Sequence, residues 1–301
     1  MFKNTNTKNE IGEIRSKVVL LCPDNDSESH MILFLAKKAE ITTINSEQPH
    51  GAKLSLEKDL DSKLADLHKK EIWIVETPGI EKEEELRHRG MDVKIIDHHT
   101  YNNLDRLTDP TTGNKKPSSL EQFLTLAEIY DDEMQTWGLD PKTVRGIGIM
   151  DSRYVEGLRE AKYSKEEINK VFDLQREITN EIRPEFGKLL KLAEKDWKNR
   201  IEWNNYLIIK SEHGGDMRSA ISEVSIINDM DTIPMIISTG DGEKISVQNV
   251  NPEVVDLLKT NIKGSDTYTF GSGHCWGVDN KNQKTKVTLK QVLEVLKNNK
   301  K

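Results

Sequence analysis

Four short apolar runs alternate with longer helical stretches in the first third of the chain, and this alternation constrains the fold most. The runs lie at 18–21, 41–44, 72–75 and 93–96. Helical stretches separate them at 28–38, 56–69 and 80–90. Apolar runs rich in β-branched residues are typical of strands buried on both faces of a parallel sheet. The first part of the chain is therefore predicted to be an α/β domain with a parallel, doubly wound sheet.

A long helical segment precedes a second α/β pattern. From residue 165 to about 201 the apolar positions recur in steps of three and four, and Pro184 should split the helix. Later strand-like runs lie at 206–209, 235–238 and 245–247, between helical stretches at 219–228, 252–260 and 289–298. We predict a parallel-sheet domain over 1–164, a helical linker over 165–204 and a smaller α/β domain over 205–301.

The composition narrows the classes of function. Charged residues make up 32 %, the net charge is −7, and no apolar run approaches the roughly 20 residues of a membrane span. Two cysteines, Cys22 and Cys275, do not form a disulfide framework, and the first 17 residues are polar, which indicates a cytoplasmic protein with a frayed start. The acidic balance disfavours charge-driven binding to long duplex nucleic acid but allows a short anionic substrate.

Acidic side chains and two histidines follow the predicted strands, where an α/β sheet binds its ligands. They are Asp24 and Asp26 after the first strand, Glu76 after the third, Asp97, His98 and His99 after the fourth, and Asp151 after a later apolar stretch. Carboxylates with imidazoles suit Mn²⁺ or Mg²⁺. A carboxylate shared by two such ions would allow a two-metal site that activates water and binds a phosphate ester.

These segments resemble the motifs of the DHH phosphoesterase family. That family includes RecJ-like exonucleases, nanoRNases, cyclic dinucleotide phosphodiesterases and family II inorganic pyrophosphatases. Its Asp-His-His motif is intact at 97–99 and its Asp-x-Asp at 24–26. Two positions differ, because Leu20 stands where the first motif has a His and Glu76 replaces the Asp of the second motif.

The resemblance implies a set of site residues. One metal would be held by Asp26, Glu76, His98 and Asp151, and a second by Asp24 and Glu76. His98, His99 and Asp97 would be the catalytic group, with His99 near the substrate phosphate and Asp97 orienting His98. The implied cofactor is Mn²⁺ or Mg²⁺ as two ions, or one ion because of Leu20. Asp24 and Asp26 have an alternative interpretation as helix caps, and His30 one as a replacement for the missing His.

The last third resembles the substrate-binding domain of the same family, whose signature is a Gly-rich loop ending in His. Here the implied substrate contacts are Gly271, Ser272, Gly273 and His274. Glycines allow backbone N–H groups to approach a phosphate closely. Gln248 stands where that domain often carries an Arg, and Trp276 could either stack on a base or pack in the core.

The sequence thus favours a divalent-metal-dependent phosphodiesterase that hydrolyses short single-stranded oligonucleotides or small nucleotides with a metal-activated water. The alternative is a catalytically degenerate protein that binds a nucleotide or a protein partner without turnover, motivated by Leu20 and Glu76. No membrane partner is expected. The sequence favours neither RNA nor DNA and neither linear nor cyclic substrates. It is compatible with a homodimer.

Overall fold

The computed structural model describes residues 8–49, 51–101, 104–215, 217–228, 230, 232–262, 266–270 and 273–297. The chain divides into two compact units, Met1–Ile182 (unit 1) and Arg183–Lys301 (unit 2). The division falls inside the stretch 165–204 that was predicted to be a linker. That stretch contains two helices with a break around Pro184, the first of them in unit 1 and the second in unit 2.

Unit 1 is built on a parallel sheet. Its elements are α1 (Lys8–Lys17), β1 (Val18–Pro23), α2 (Ser27–Lys38), β2 (Thr42–Ser46), a 3₁₀ turn (Leu54–Leu56), α3 (Leu60–Leu67), β3 (Glu71–Val75), α4 (Ile80–His88), β4 (Asp92–Ile96), the short strands β5 (Thr100–Tyr101) and β6 (Leu104–Asp105), α5 (Ser119–Leu126), α6 (Asp131–Thr136), α7 (Pro141–Glu160) and α8 (Lys165–Ile182). The sheet has the order β2-β1-β3-β4, and every neighbouring pair is parallel.

The apolar runs form this sheet because both faces of its strands are covered. All six residues of β1 are buried. On one face Leu21 and Ile72 join a core cluster with Leu86 of α4, and on the other Trp73 meets Phe123 of α5 edge to face. The four carboxyl ends therefore meet at one edge of the sheet, which confirms the predicted α/β class and positions the loops after β1, β3 and β4 together.

The prediction of a frayed start is wrong for residues 8–17, which form α1. Arg15 anchors this helix, because its buried guanidinium donates to the Ala127 carbonyl at 2.8 Å and pairs with Glu133 at 2.7 Å. Both partners lie more than 100 positions away in the chain, so a sequence window cannot reveal them. Among the described residues, no helix is both long enough and apolar enough to cross a bilayer.

Unit 2 contains a mixed six-stranded sheet. Its elements are α9 (Phe186–Lys198), β7 (Ile201–Trp203), β8 (Tyr206–Lys210), α10 (Met217–Ile227), β9 (Met235–Thr239), β10 (Lys244–Gln248), α11 (Pro252–Asn261), β11 (Asp266–Phe270), β12 (Cys275–Asp279) and α12 (Leu289–Lys297). The order is β11-β12-β10-β9-β8-β7, with β8 and β9 parallel and the other pairs antiparallel.

The strands β11 and β12 of unit 2 were not predicted, and their close side-chain packing depends on a glycine in β12. A Cβ on Gly277 would lie 2.6 Å from the ring of Tyr268 on the paired strand. Gly277 therefore lets the aromatic side chain lie across the sheet, while in the sequence it interrupts the apolar pattern of β12. Trp276 is fully buried in the core beside Val247, so the interpretation as a base-stacking surface residue is wrong.

Candidate metal centre

Four of the predicted side chains converge at the carboxyl edge of the unit 1 sheet. Glu76, His98, His99 and Asp151 each offer one donor atom, and these atoms all lie within 4.8 Å of one another. His98 Nε2 is 3.1 Å from Asp151 Oδ2, and His98 Nδ1 is 3.4 Å from Glu76 Oε1. We refer to these four residues as the donor group.

Glu76 enters the donor group from a strained backbone. It follows β3 with φ 45°, the left-handed region that residues with a Cβ seldom adopt. Its N–H donates to the Ile96 carbonyl at 3.0 Å and so extends the β3–β4 pairing by one bond. Such strain persists where surrounding contacts fix the conformation, and it is concentrated at functional sites.

His98 is held by the start of α5. It is 7 % exposed, and its Nδ1 accepts from the Ser119 N–H at 3.2 Å, with the Ser119 hydroxyl at the same distance. Its ring stacks on His99 with 4.4 Å between the centroids. His98 therefore presents Nε2 toward Asp151 in a fixed orientation.

Asp97 orients His99, which corrects the expectation that it orients His98. Its Oδ1 accepts from the His99 backbone N–H at 2.9 Å and lies 3.1 Å from His99 Nδ1. Its Oδ2 accepts from the Tyr101 hydroxyl at 3.0 Å. Asp97 is completely buried and both of its oxygens are engaged, so it contacts the donor group through His99.

The electrostatics of the group follow from burial and crowded negative charge. Burial, together with the charges of Asp151 and Asp26, raises the pKa of Glu76 to about 7, although the two histidines oppose this. Burial alone would lower the pKa of His99. The hydrogen bond that His99 makes to Asp97 and the charges of the nearby carboxylates outweigh burial and raise this pKa to about 9. The surrounding carboxylates therefore favour the protonated form of His99.

Glu28 of α2 is a site residue that the sequence reasoning missed. Its side chain is buried, and burial with the charges of Asp151 and Glu76 raises its pKa well above the ordinary value. An acidic residue in the first turn of a helix is usually explained by the helix dipole, and this explanation hides its role. The available signal was a Glu two positions after Asp26, just before the apolar run 31–36 of the same helix.

The residues present fit a divalent cation. Glu28 Oε2 and Glu76 Oε1 are buried and have no hydrogen-bond partner within the described part of the chain. Buried polar atoms are nearly always paired, so such oxygens require an explanation. Carboxylate oxygens combined with imidazole nitrogens suit Mn²⁺ or Mg²⁺, and a cation would satisfy both oxygens.

Asp24 and Asp26 lie outside the donor group. Asp26 caps α2, where it accepts from the Ser29 N–H and hydroxyl at 2.8 Å each. Asp24 is 2.9 Å from Nδ1 of His30. The structure therefore shows a capping role for Asp26, and a role of either aspartate as a ligand stays a prediction. Leu20, which stands where the first motif of the resembling family has a His, is fully buried in β1.

The Gly-rich segment belongs to unit 2. Gly271 and Ser272 lie outside the described residues, so their predicted role stays a prediction. Gly273 has φ +88°, which requires glycine, and the exposed His274 has its Nδ1 3.0 Å from the Val250 carbonyl. Gln248, at the position of the family's Arg, is buried and accepts from the Ser222 hydroxyl at 2.9 Å.

Comparisons with known proteins give structural likenesses only. No family model matches the sequence, and no curated protein matches it. The structure is similar to exonuclease RecJ bound to manganese, with 13% identity, coverage of 96% of this chain and 92% of that chain, and a TM-score of 0.42. It is similar to a DHH domain from a protein described as a member of a family of ribosomal proteins, with 13% identity, coverage of 96% and 87%, and a TM-score of 0.48.

A third likeness is to the pGpG-specific phosphodiesterase PggH of Vibrio cholerae, with 12% identity, coverage of 94% and 97%, and a TM-score of 0.39. At these identities and TM-scores, function has to be argued from the side chains of this chain.

Proposed function

We propose that the chain is a divalent-metal-dependent phosphoesterase that hydrolyses a short single-stranded oligonucleotide or a small nucleotide. The observation that carries this proposal is the donor group with two buried, unpaired carboxylate oxygens beside it. Carboxylates that are buried without a partner are costly, and a bound cation is the ordinary way to stabilise them.

Within this proposal, Glu76, His98 and Asp151 hold Mn²⁺ or Mg²⁺, and Asp24 and Asp26 are further proposed ligands. A divalent cation bound there supplies Lewis-acid polarisation of a phosphate ester and a water of lowered pKa. Whether one or two ions bind is a question for metal titration.

His99 is proposed to contact the substrate. Its Nδ1 is engaged by Asp97, so Nε2 is the nitrogen left to donate to a phosphoryl oxygen. The hydrogen bond to Asp97 and the nearby carboxylates raise the pKa of His99, and a protonated ring favours binding of a negatively charged group. Asp97 acts as a positioning residue that fixes this ring, with Tyr101 on its other oxygen.

The remaining proposals concern the substrate and its surroundings. Gly271, Ser272, Gly273 and His274 are proposed contacts for a phosphate or nucleotide group. The net charge of −7 favours a short substrate over a long nucleic acid. Cys22 and Cys275 are both free and buried, which supports a reducing compartment such as the cytoplasm.

A hydrolysis screen tests the function. The full-length protein is incubated with Mn²⁺ or Mg²⁺ and short RNA or DNA oligonucleotides, and separately with cyclic dinucleotides. We expect cleavage that requires the metal and falls at least about 100-fold in Asp151→Asn, which loses an anionic ligand but keeps the side chain's shape.

The matched control is His88→Gln, which alters an exposed histidine on α4 that contacts only its own helix in the described contacts. This variant should retain wild-type activity. If wild-type protein cleaves none of the substrates with either metal, the proposed function is wrong.

A further inference from the structure

Glu28 is held in place through one of its two carboxylate oxygens. It lies in the first turn of α2 and is 1 % exposed. Its Oε1 accepts from the Leu120 N–H at 2.8 Å, at the N-terminal turn of α5. Its Oε2 has no hydrogen-bond partner among the described residues. Oε1 is therefore fixed by a hydrogen bond, and Oε2 is buried with an unused capacity to accept one.

The space for this carboxylate depends on a glycine in α7. A Cβ on Gly148 would lie 2.9 Å from Glu28 Oε1 and 2.3 Å from the hydroxyl of Ser118. Only a residue without a side chain allows α7 to approach this closely while Glu28 remains in place. The position of Glu28 is thus fixed by three helices, α2, α5 and α7.

The unpaired oxygen faces the histidine of the donor group. Glu28 Oε2 lies 3.6 Å from His98 Nδ1, and His98 Nε2 lies 3.1 Å from Asp151 Oδ2 on the other side of the ring. A histidine that offers Nε2 to a cation must carry its proton on Nδ1. That proton requires an acceptor, and in metal sites the acceptor is commonly a carboxylate.

We propose that Glu28 is a positioning residue for the metal centre, which accepts a hydrogen bond from Nδ1–H of His98 and thereby keeps Nε2 free for the cation. The inference rests on the proposed function only in that the donor group binds a divalent cation. In the structure Nδ1 accepts from the Ser119 N–H, so this role requires the ring to carry its proton on Nδ1 when a cation would be held at Nε2. Glu76 Oε1 lies 3.4 Å from the same nitrogen, but the proposed function assigns Glu76 to the cation, which leaves Glu28 Oε2 as the carboxylate acceptor.

The test uses Glu28→Gln in the full-length protein. Glutamine keeps one oxygen as the acceptor for the Leu120 N–H but replaces Oε2 by an NH2 group, which cannot accept a hydrogen bond from Nδ1–H. We expect Mn²⁺ affinity, measured by isothermal titration calorimetry, to fall about 10- to 100-fold. We also expect the metal-free variant to melt no lower than wild type, because a buried carboxylate has been removed. A purely structural role for Glu28 would produce the opposite pair of results.

The matched control is Glu121→Gln, which removes a carboxylate from α5, the helix whose first turn donates to Glu28. Glu121 pairs with Arg145 at 2.7 Å and does not contact His98 in the described contacts, so this variant should bind Mn²⁺ as wild type does.

Nitrogen NMR of wild-type His98 with Mg²⁺ gives a second measurement, which should show the proton on Nδ1.

Three results would overturn the inference: wild-type Mn²⁺ affinity in Glu28→Gln, an unprotonated Nδ1 in the Mg²⁺-loaded protein, or direct coordination of the cation by Glu28 in an anomalous map. These results are independent of hydrolysis. A protein that cleaves no substrate but loses Mn²⁺ affinity in Glu28→Gln would contradict the proposed function and support the role of Glu28.

Discussion

Two acidic side chains at the site, Glu76 and Glu28, have a cost that a bound cation would offset. Glu76 has a left-handed backbone and a buried oxygen without a partner among the described residues. Glu28 and Asp151 place further negative charge beside it, and Glu28 is buried with it. Residues selected for stability alone would not be arranged in this way, and such local conflicts are typical of functional sites.

The raised pKa values predict how the stability of metal-free protein depends on pH. The pKa of Glu76 is about 7 in the folded protein against an ordinary 4.5, so the folded state keeps a proton that the unfolded state loses. Stability therefore falls as pH rises across that interval. The pKa of His99 is about 9 against an ordinary 6.5, so its contribution is present below 6.5 and lost as pH rises through 9.

Both effects have the same sign, so we expect the free energy of unfolding in EDTA to decrease from about pH 5 to about pH 9. Urea denaturation at several pH values measures it. Glu76→Gln is the control, and in this variant the decrease between about pH 5 and pH 7 should become smaller. A stability that increases with pH over this lower interval would contradict the assignment.

The residues of the site were predictable to the extent that chemistry is visible in a short segment. Glu76 and His98 were expected at strand ends and Asp151 after an apolar stretch, and the resemblance to DHH motifs implied that the three share a site; their side chains do lie together. The partner of Asp97 was not predictable, because the choice between His98 and His99 depends on how the chain turns after β4. Glu28 was not predictable either, since its burial depends on the distant Gly148.

At the scale of elements, α7 controls the geometry of the site. It carries Gly148 at its contact with α2 and α5, and Asp151 one turn later. The helix is interrupted at Tyr154, where φ is 56° and ψ is −157°. This break lies three residues after Asp151, so Asp151 sits on the last regular turn before the direction of the chain changes.

We expect Gly148→Ala to destabilise the protein by about 1–3 kcal/mol, because the added methyl group overlaps Ser118 and Glu28. Urea unfolding monitored by circular dichroism measures this. Gly12→Ala is the matched control, because Gly12 also lies in a helix but a Cβ there would meet nothing within 4 Å. It should stabilise the protein by up to about 1 kcal/mol. Equal effects of the two substitutions would contradict the packing argument.

Elements with a strong local pattern were predicted and those without one were not. The strands β1 to β4 begin and end within two residues of their predicted bounds, because buried parallel strands have continuous apolar runs. By contrast, β7 has three residues and β11 is mostly exposed, so neither shows a run. The helix α1 is held by the side chain of Arg15 rather than by an apolar stripe.

At the scale of the whole molecule, the two units have separate cores. The cluster around Leu21 and Ile72 is confined to unit 1, and two clusters, one with Trp276 and one with Trp197, are confined to unit 2. The donor group and Glu28 belong to unit 1. Each unit therefore has the apolar core that an independently folding domain needs.

This division predicts which part of the chain responds to metal. In the full chain, Mn²⁺ at about 100 times its dissociation constant should add about 2.7 kcal/mol to the stability of the folded state. The fragment 183–301 lacks the donor group, so its melting temperature should not change with Mn²⁺. Differential scanning fluorimetry of both proteins measures this, and a metal-induced shift in the fragment would contradict the assignment of the site to unit 1.

The hydrogen bond between the Glu76 N–H and the Ile96 carbonyl has a consequence for which ions the protein accepts. It joins the end of β3 to the end of β4 two residues before His98, so the backbone segments that carry the carboxylate and the imidazole are directly linked. We expect donors linked in this way to discriminate among cations by ionic radius and coordination number. Calcium, which is larger and prefers six to eight oxygen ligands, should therefore be a poor substitute for the smaller ions.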